Sequence, residues 1–182
     1  MWRSQIAKAV GKLKSDGIIL HATEGVWGLA CNPWSETAVG RLLSFKKRSI
    51  EQGLIVIGAN AQYFGPELAA LSADQRAIIR ASWPGPVTWV VPNERFPAWV
   101  TGRHSTVAIR VPGHAQARKL SHKFGGPLIS TSANPSGAPS ALTEDEARDY
   151  FAKEVDRVLP GRVVSPGATS IIRALDGTTI RG

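Results

Sequence analysis

The hydrophobic residues of this chain of 182 residues recur with two different periods. Apolar residues three and four apart are typical of amphipathic helices, whereas short aliphatic runs between turn residues are typical of buried strands. The helical pattern predicts an opening helix and helices over 36–45, 73–81, 115–124 and 144–151. The strand pattern predicts strands over 17–20, 54–57, 87–91, 107–111, 128–129, 170–175 and 178–180. Because strands and helices alternate along the chain, we predict an α/β or α+β fold in which helices pack against a sheet.

Local signals mark where some of these helices begin. Ser72 with Gln75 and Thr143 with Glu146 form capping-box patterns, in which side chain and backbone satisfy each other's hydrogen bonds. Ser4 is the candidate N-cap of the opening helix. That helix is indicated by apolar residues at helical spacing, which are Ile6, Ala9, Val10 and Leu13.

The composition is that of an ordinary globular protein, 43% hydrophobic and 20% charged. A chain of this length buries about 70% of the surface that it exposes when unfolded. No repeat or linker divides the sequence, so residues 1–182 are predicted to form a single domain. Cys31 has no second cysteine with which to form an internal disulfide or a zinc site. Since no run approaches the roughly 20 apolar residues of a membrane span, we expect a cytoplasmic location and no membrane partner.

Basic residues exceed acidic ones by 22 to 14, which gives a formal net charge of +8. Such a balance favours polyanionic partners, such as nucleotides, pyrophosphate or RNA. A basic surface that serves only solubility has the same composition. Charge therefore does not decide between a small anion and a nucleic acid.

Three consecutive cations, Lys46, Lys47 and Arg48, follow directly on the predicted helix over 36–45. One interpretation is structural, because cations at a helix C-terminus are stabilised by the helix dipole. The other is an anion site, which requires the helix to end by Lys46 so that Lys46 and Arg48 point the same way on extended chain. Arginine would then offer a planar fork to phosphate or carboxylate, and lysine a point charge.

A hydroxyl-rich segment, 130–137, runs from a predicted strand into a turn. Alternation would place Ser130, Ser132 and Asn134 on one face, and the positions of proline and glycine predict a type I turn that begins at Asn134. Hydroxyl and amide groups can hold phosphate oxygens or a ribose, although an ordinary loop has the same composition. No Gly-x-Ser-x-Gly sequence surrounds these serines, which disfavours a serine nucleophile.

Glu24 lies in a glycine-containing segment, 23–28, that matches neither a Walker loop nor a dinucleotide-binding fingerprint. It could act as a base or a metal ligand, yet a solvated turn carboxylate is the commoner case. The four histidines lack the spacing of metal ligands, so each is predicted to be structural or exposed, and no metal site is predicted. They are His21, His104, His114 and His122.

Taken together and in order, five segments resemble the YrdC-type family of threonylcarbamoyl-AMP synthases, in its short, single-domain form. The segments are 21–29 (His-Ala-Thr-Glu-Gly-Val-Trp-Gly-Leu), 46–48 (Lys-Lys-Arg), 83–88 (Trp-Pro-Gly-Pro-Val-Thr), 107–112 (Val-Ala-Ile-Arg-Val-Pro) and 130–137 (Ser-Thr-Ser-Ala-Asn-Pro-Ser-Gly). They span nearly the whole chain, and several motifs in register are more specific than any one alone. The resemblance implies a twisted mixed α/β sheet with packed helices and a concave, positively charged face.

The resemblance also implies a nucleotidyltransferase that joins L-threonine, bicarbonate and ATP into L-threonylcarbamoyladenylate and releases pyrophosphate. ATP is then a substrate, and Mg²⁺ is a candidate companion ion. The product supplies the threonylcarbamoyl group for N6-threonylcarbamoyladenosine at tRNA position 37. Downstream threonylcarbamoyl-transfer proteins are therefore implied partners, with tRNA or double-stranded RNA as a further candidate partner.

Site residues follow from the resemblance, residue by residue. Lys46 and Arg48 are implied to be the catalytic electrostatic pair. The residues implied to contact ATP are Lys46, Arg48, Thr106, Ser132, Asn134 and Ser140. Those implied to hold L-threonine are Thr23, Arg110, Ser130 and Thr169.

The sequence departs from the family pattern near the implied threonine pocket. His21 and Ala22 stand where the family usually has Tyr or Phe followed by Pro. Ser49 and Gly53 replace prolines, and Ile57 stands where some members have a histidine near the substrate. These departures concern the geometry of the pocket and not the class of enzyme.

Two other interpretations remain at this point. One is an RNA-binding or ribosome-associated module that uses a basic face without catalysis, although no RNP-like aromatic motif is visible. The other is the carbamoyl-transfer relative found within hydrogenase-maturation proteins. Those proteins carry zinc-finger and acylphosphatase-like regions, for which a chain of 182 residues with one cysteine has no room.

Overall fold

A computed structural model of the chain describes residues 2–166, 171–173 and 175–181. The helices in those ranges are α1 (Trp2–Lys14), α2 (Glu36–Lys46), α3 (Gly65–Ala69), α4 (Ala73–Ala81), α5 (Ala98–Thr101), α6 (Ala115–Phe124) and α7 (Glu144–Phe151). The strands are β1 (Ile19–Ala22), β2 (Trp27–Cys31), β3 (Ile55–Ile57), β4 (Val87–Pro92), β5 (Thr106–Arg110), β6 (Leu128–Ser132), β7 (Arg157–Val158), β8 (Ile171–Arg173) and β9 (Thr179–Arg181). None of the helices in this part of the chain is long and apolar enough to cross a membrane.

The strands of the described ranges form one twisted mixed sheet in the order β7-β1-β2-β6-β3-β5-β4-β8-β9. The pairs β7 with β1, β3 with β5, and β4 with β8 are parallel, and the other neighbours are antiparallel. Strand β6, late in the chain, lies between β2 and β3 near the centre of the sheet. The predicted fold class, an α/β or α+β arrangement with packed helices, is confirmed.

One face of the sheet is partly covered by α1 and α6. Leu13 of α1 and Leu120 of α6 are fully buried in one hydrophobic cluster with Ile19 of β1 and Leu128 of β6. Each such side chain contributes about 1.5–3 kcal/mol when it is removed from water. The apolar stripe predicted for the opening helix is therefore the surface by which α1 packs on the sheet.

The opposite face carries the main hydrophobic core. Leu42 of α2, Ile79 of α4 and Phe151 of α7 belong to one buried cluster with Leu29 of β2 and Ile109 of β5. Because side chains alternate along each strand, the residues next to these sheet positions point to the first face. There, beyond α1 and α6, the strands β3, β5 and β4 border a cavity.

The predicted helix bounds agree closely with the structure. Helices α4, α6 and α7 have the predicted bounds, and α2 is longer by one residue, Lys46. The capping boxes at Ser72 and Thr143 are both formed. Ser4 is not an N-cap, however, because α1 begins at Trp2 and Ser4 lies in its first turn. Packing of the buried stripe stabilises this helix without a capping hydroxyl at that position.

Strand β1 begins two residues later than predicted, at Ile19. The backbone N–H of Gly17 still belongs to the end of α1, since it donates to the carbonyl oxygen of Lys12 (2.8 Å). The N–H of Ile18 donates to Oδ2 of Asp156 (2.8 Å). Both residues are therefore used to turn the chain from the helix into the sheet.

Strand β2 and the second half of β6 were not predicted. Gly28 lies opposite Ser132, and Ala30 opposite Ser130, in an antiparallel ladder. The serines of β6 interrupt its hydrophobic pattern. The apolar residues of β2 form a short run, which periodicity alone does not distinguish from part of a buried helix. The interpretation of 130–132 as loop is wrong, and the ladder fixes where its hydroxyl groups lie.

Gly102 follows α5 and lies against a 3₁₀ turn, Ile50–Gln52, that borders the cavity. Its backbone has φ 65° and ψ −136°, and a Cβ placed there would overlap the carbonyl oxygen of Glu51. We expect Gly102→Ala to lower the free energy of unfolding by about 2–3 kcal/mol. Gly40→Ala is the matched control, because a Cβ on that residue of α2 meets nothing within 4 Å. It should stabilise the protein by about 0.4–1 kcal/mol; equal urea midpoints for the two variants would contradict this account.

Candidate active site

A cavity of about 710 Å³ lies on the first face of the sheet. It is lined by residues of β2, β3, β4, β5 and β6, and by parts of the segments 23–26, 48–54 and 100–104. Ligand pockets typically measure about 300–1,000 Å³, so this volume suits a ligand of nucleotide size.

Alternation along β5 selects the side chains that reach the cavity. Thr106, Ala108 and Arg110 are half-buried and line it, whereas Ile109 is buried in the main core. Thr106 and Arg110 are four residues apart, which corresponds to about 13 Å along a strand. The implied ATP contact and the implied threonine contact on this strand therefore lie at two separate regions of one cavity.

The cationic segment at the end of α2 places Arg48 on the cavity. The helix ends at Lys46, as the anion-site hypothesis required, and Lys47 caps it in the left-handed conformation (φ 51°). The chain does not continue in the extended conformation that the hypothesis assumed, because the left-handed residue turns it. Nη2 of Arg48 donates to the carbonyl oxygen of Gly53 (2.9 Å), which holds the guanidinium at the cavity wall.

Lys46 is only 3% exposed, and its ammonium group ends on the backbone of the hydroxyl-rich segment. Its Nζ donates to the carbonyl oxygens of Ser132 (2.5 Å) and Asn134 (2.8 Å). Burial, and next the charge of Arg48, lower the pKa of Lys46 to about 8. A lysine that only stabilised the helix dipole would keep its ammonium group in solvent. The side chain of Lys46 is buried instead and connects the end of α2 to the end of β6.

Asn134 braces a tight turn instead of sharing the surface of the two serines before it. Its Nδ2 donates to the carbonyl oxygen of Ala138 (2.7 Å), and its Oδ1 accepts a hydrogen bond from Ser140 (3.4 Å). The N–H of Ala138 donates to the carbonyl oxygen of Pro135 (3.1 Å), and this hydrogen bond closes the turn. The prediction of a type I turn beginning at Asn134 is therefore wrong. The turn begins one residue later, and Gly137 at its third position has the positive φ (85°) of type II.

Arg110 and Glu24 form a largely buried ion pair on the cavity. Nη2 of Arg110 lies 2.6 Å from Oε1 of Glu24, and the two side chains are 12% and 15% exposed. The same carboxylate oxygen accepts a hydrogen bond from the N–H of Gly113. Desolvation lowers the pKa of Arg110, and the charge of Glu24 opposes that shift. The interpretation of Glu24 as a solvated turn carboxylate is wrong, because Arg110 compensates its charge in a buried position.

Two further segments hold this ion pair in place. Nε of Arg110 donates to the carbonyl oxygen of Gly85 (2.9 Å), which gives the rigid 83–88 segment a part in orienting the guanidinium. On the other side, the backbone N–H groups of Val164 and Ser165 donate to the carbonyl oxygen of Glu24 (3.1 and 2.7 Å). Both charges are thus fixed by backbone contacts before any ligand binds.

Ser130 lies beside a buried histidine. His21 of β1 is fully buried, its Nε2 lies 3.2 Å from Oγ of Ser130, and its Nδ1 lies 3.2 Å from the carbonyl oxygen of Ala22. Burial, and next the charge of His114, lower the pKa of His21 to about 4. The imidazole is therefore neutral at neutral pH and contacts the cavity wall through Ser130.

Seven of the ten residues that the family resemblance assigns line this one cavity. They are Thr23, Arg48, Thr106, Arg110, Ser130, Ser132 and Ser140. Lys46 and Asn134 adjoin it through the contacts described above. Thr169 lies outside the described residues.

The cavity wall also includes residues that the sequence did not indicate. Gln52, Thr101 and His104 line it, and no motif or spacing distinguishes them along the chain. They are brought there by the packing of α5 against the 3₁₀ turn, which is not visible in a single sequence. In the part of the chain that the structure describes, no group of three or more His, Cys, Asp or Glu residues could hold a metal ion.

Comparison with known proteins places the chain among relatives of similar length. The Sua5/YciO/YrdC family model, described as telomere recombination, matches residues 11–181. The chain is 44% identical to the threonylcarbamoyl-AMP synthase of Cellvibrio japonicus, over 95% of this chain and 93% of that protein. It is 45% identical to that of Pseudomonas aeruginosa, over 99% and 97%.

A solved structure gives the same result. P. abyssi Sua5 complexed with L-threonine is 30% identical, with a TM-score of 0.88 over 94% of this chain and 51% of that one. The chain thus spans about half the length of the P. abyssi protein. The family resemblance on which the site residues were assigned is confirmed by the near-complete match of the family model. The chain belongs to the Sua5/YciO/YrdC family.

Proposed function

We propose that this chain is a threonylcarbamoyl-AMP synthase, a nucleotidyltransferase that forms L-threonylcarbamoyladenylate and pyrophosphate from L-threonine, bicarbonate and ATP. The observation that carries the proposal is a single cavity with arginines on separate wall segments and hydroxyl groups on the strands between them. The names of the relatives at 44–45% identity and the threonine bound by P. abyssi Sua5 support it.

The reaction requires alignment and charge neutralisation more than a protein nucleophile. The amino nitrogen of L-threonine first adds to bicarbonate with loss of water, which forms threonine N-carbamate. An oxygen of the carbamate group, and not of the α-carboxylate, then attacks the α-phosphorus of ATP and forms a new O–P bond. The bond from that phosphorus to the bridging oxygen breaks, and pyrophosphate leaves with the electron pair. Because both reactants are anions, fixed cations and precise positioning lower the barrier.

The nucleotide is proposed to bind beside the end of α2 and the hydroxyl-rich segment. Arg48 presents a guanidinium at the cavity wall, and Lys46 places a buried positive charge at the end of β6. Thr106, Ser132 and Ser140 offer hydroxyl groups to phosphate or ribose oxygens, and Asn134 holds the turn that carries Ser140. Lys46 and Arg48 are the proposed catalytic pair, since charge on the leaving pyrophosphate grows as the bond breaks.

L-Threonine is proposed to bind near the ion pair. A guanidinium is a suitable partner for a carboxylate, and Arg110 is already oriented by Gly85 and Glu24. Thr23 and Ser130 line the same region with hydroxyl groups, and Thr169 completes the proposed set. The two substrates then approach each other along β5, between Arg110 and Thr106.

Mg²⁺ is proposed to enter with ATP. This ion is usually held by one or two carboxylates together with substrate phosphates, and it keeps several water ligands. The carboxylate on the described cavity lining is Glu24, whose Oε1 already accepts hydrogen bonds from Arg110 and Gly113. The described residues therefore fit an ion carried mainly by ATP phosphates better than one held by a protein cage.

The product is proposed to supply the threonylcarbamoyl group for the modified adenosine at tRNA position 37. Mixed anhydrides of this type are reactive, so delivery to threonylcarbamoyl-transfer proteins is expected to follow directly. The net charge of +8 supports tRNA or double-stranded RNA as a further partner.

We also propose a cytoplasmic location and a single domain over 1–182. The single domain is supported by one sheet that includes strands from both ends of the chain.

Purified protein incubated with ATP, bicarbonate and L-threonine is expected to release pyrophosphate, and mass spectrometry should detect threonylcarbamoyl-AMP. Omission of threonine or bicarbonate should each abolish the product, because the carbamate is the attacking group. Protein that binds tRNA but releases no pyrophosphate in response to threonine would overturn the proposal. That result would favour the RNA-binding module.

A further inference from the structure

We infer that His21 is a positioning residue that fixes the direction of the Ser130 hydroxyl, so that Ser130 presents a lone pair, and not a hydrogen, to the substrate. This inference rests on the proposed function, because Ser130 lies in the proposed threonine region. The assigned threonine contacts do not include His21. The sequence departs from its family at this position, where Tyr or Phe is usual.

The direction of the hydrogen bonds follows from the chemistry of the partners. A carbonyl oxygen can only accept, so the contact of 3.2 Å between Nδ1 of His21 and the oxygen of Ala22 places the proton on Nδ1. In a neutral imidazole, Nε2 is then an acceptor. The Ser130 hydroxyl, 3.2 Å from Nε2, must donate its hydrogen to the histidine.

Burial keeps this arrangement stable. His21 has no exposed surface, and desolvation followed by the charge of His114 lowers the pKa of His21 to about 4. An imidazolium would donate from Nε2 and reverse the serine hydroxyl. At neutral pH that species is absent, so the serine oxygen is left with lone pairs for a ligand.

The space in front of the serine is open because the neighbouring residue has no side chain. Gly28 of β2 lies opposite His21 in the antiparallel ladder. A Cβ on Gly28 would stand 3.4 Å from Nε2 of His21 and 3.5 Å from Oγ of Ser130. Ser130 and Gly28 both line the cavity, so the serine oxygen can be reached from it.

A group that contacts Ser130 must therefore be a hydrogen-bond donor. Threonine has two such groups, its amino nitrogen and its hydroxyl, while its carboxylate can only accept and suits Arg110. The cavity wall thus has an acceptor, Ser130, for the amine or hydroxyl of threonine, and a donor, Arg110, for its carboxylate. His21 sets this polarity without touching the substrate.

The test is a double-mutant cycle measured as the Kd of L-threonine by calorimetry. Ser130→Ala and His21→Phe should each weaken threonine binding by about 3- to 10-fold, the effect of one hydrogen bond. The double variant should be no weaker than Ser130→Ala alone, because His21 acts only through the serine. The Kd of ATP should not change in any of them. His122→Gln, on the exposed side of α6, is the control and should leave both constants unchanged.

L-2-Aminobutyrate, which lacks the threonine hydroxyl, identifies the donor. If the threonine hydroxyl contacts Ser130, the Kd of this analogue should be the same for wild type and Ser130→Ala. If the amine contacts Ser130, Ser130→Ala should weaken binding of the analogue by the same factor as binding of threonine. Two outcomes would overturn the inference. One is a Kd of threonine in the double variant that is raised by the product of the two single effects, and the other is an unchanged Kd of threonine in Ser130→Ala. Failure of the proposed function has a different signature, since wild type would bind threonine and release no pyrophosphate.

Discussion

Lys46→Gln is expected to slow threonine-dependent pyrophosphate release by about 100- to 1,000-fold, a loss of about 2.7–4 kcal/mol of transition-state stabilisation. Lys46 is 3% exposed, and a charge acts more strongly in such surroundings than in water. Glutamine keeps most of the side-chain length without the charge. The measurement is the initial rate of pyrophosphate release at saturating threonine and bicarbonate.

Lys47→Gln is the matched control for this substitution. It removes the same charge from the next residue, which is exposed and caps α2 in the left-handed conformation. Exposed charges are screened by solvent and salt, so the rate should change by less than about threefold. Equal slowing in the two variants would assign the effect to overall charge and contradict the role proposed for Lys46.

The pH profile offers a second readout of the same residue. The pKa of Lys46 is lowered to about 8, so the free enzyme loses this positive charge as the pH rises through that value. Because kcat/KM reports ionisations of the free enzyme, kcat/KM for ATP should fall above about pH 8. The residual activity of Lys46→Gln should lack this fall. The same fall in both proteins would assign it to another group.

The helix ends were predictable because their causes are local. The capping boxes at Ser72 and Thr143 are each built within one helical turn, and both formed as predicted. The ladder between β2 and β6, in contrast, pairs Gly28 and its neighbours with Ser132 and its neighbours, far away in the sequence. The serines of β6 interrupt its hydrophobic pattern, and the short apolar run of β2 does not by itself distinguish a strand from a buried helix. A single sequence therefore contains no clear signal for this ladder.

The candidate site was predictable only where several motifs could be compared in register. Composition left the cations near Lys46 and the serine-rich segment undecided, whereas the resemblance assigned residues that the structure brings to one cavity. It did not indicate that Glu24 would be buried, because its partner Arg110 lies in a separate motif. The contact between His21 and Ser130 was invisible for the same reason, since it joins two strands that are distant in sequence.

Arg110→Gln is expected to have two effects, one on substrate binding and one on stability. Loss of a charged hydrogen-bonding partner for the threonine carboxylate should raise the KM of threonine by about 10- to 150-fold. The free energy of unfolding should fall by about 3 kcal/mol, which is the lower end of the range for breaking a buried ion pair. The lower end applies because the two side chains are 12% and 15% exposed and therefore not fully buried. Glu24 is then left buried with an uncompensated charge. Initial rates over a threonine series and urea unfolding measure the two effects separately.

The double variant Glu24→Gln with Arg110→Gln separates stability from binding. With both charges removed, no uncompensated carboxylate remains, so most of the lost stability should return. The KM of threonine should stay as high as in Arg110→Gln, because no guanidinium is present to hold the carboxylate. Glu24→Gln alone retains Arg110 and should affect the KM of threonine far less. If the double variant regained threonine affinity together with stability, Arg110 would be a structural residue that only holds Glu24, and the assignment of the threonine carboxylate to it would be wrong.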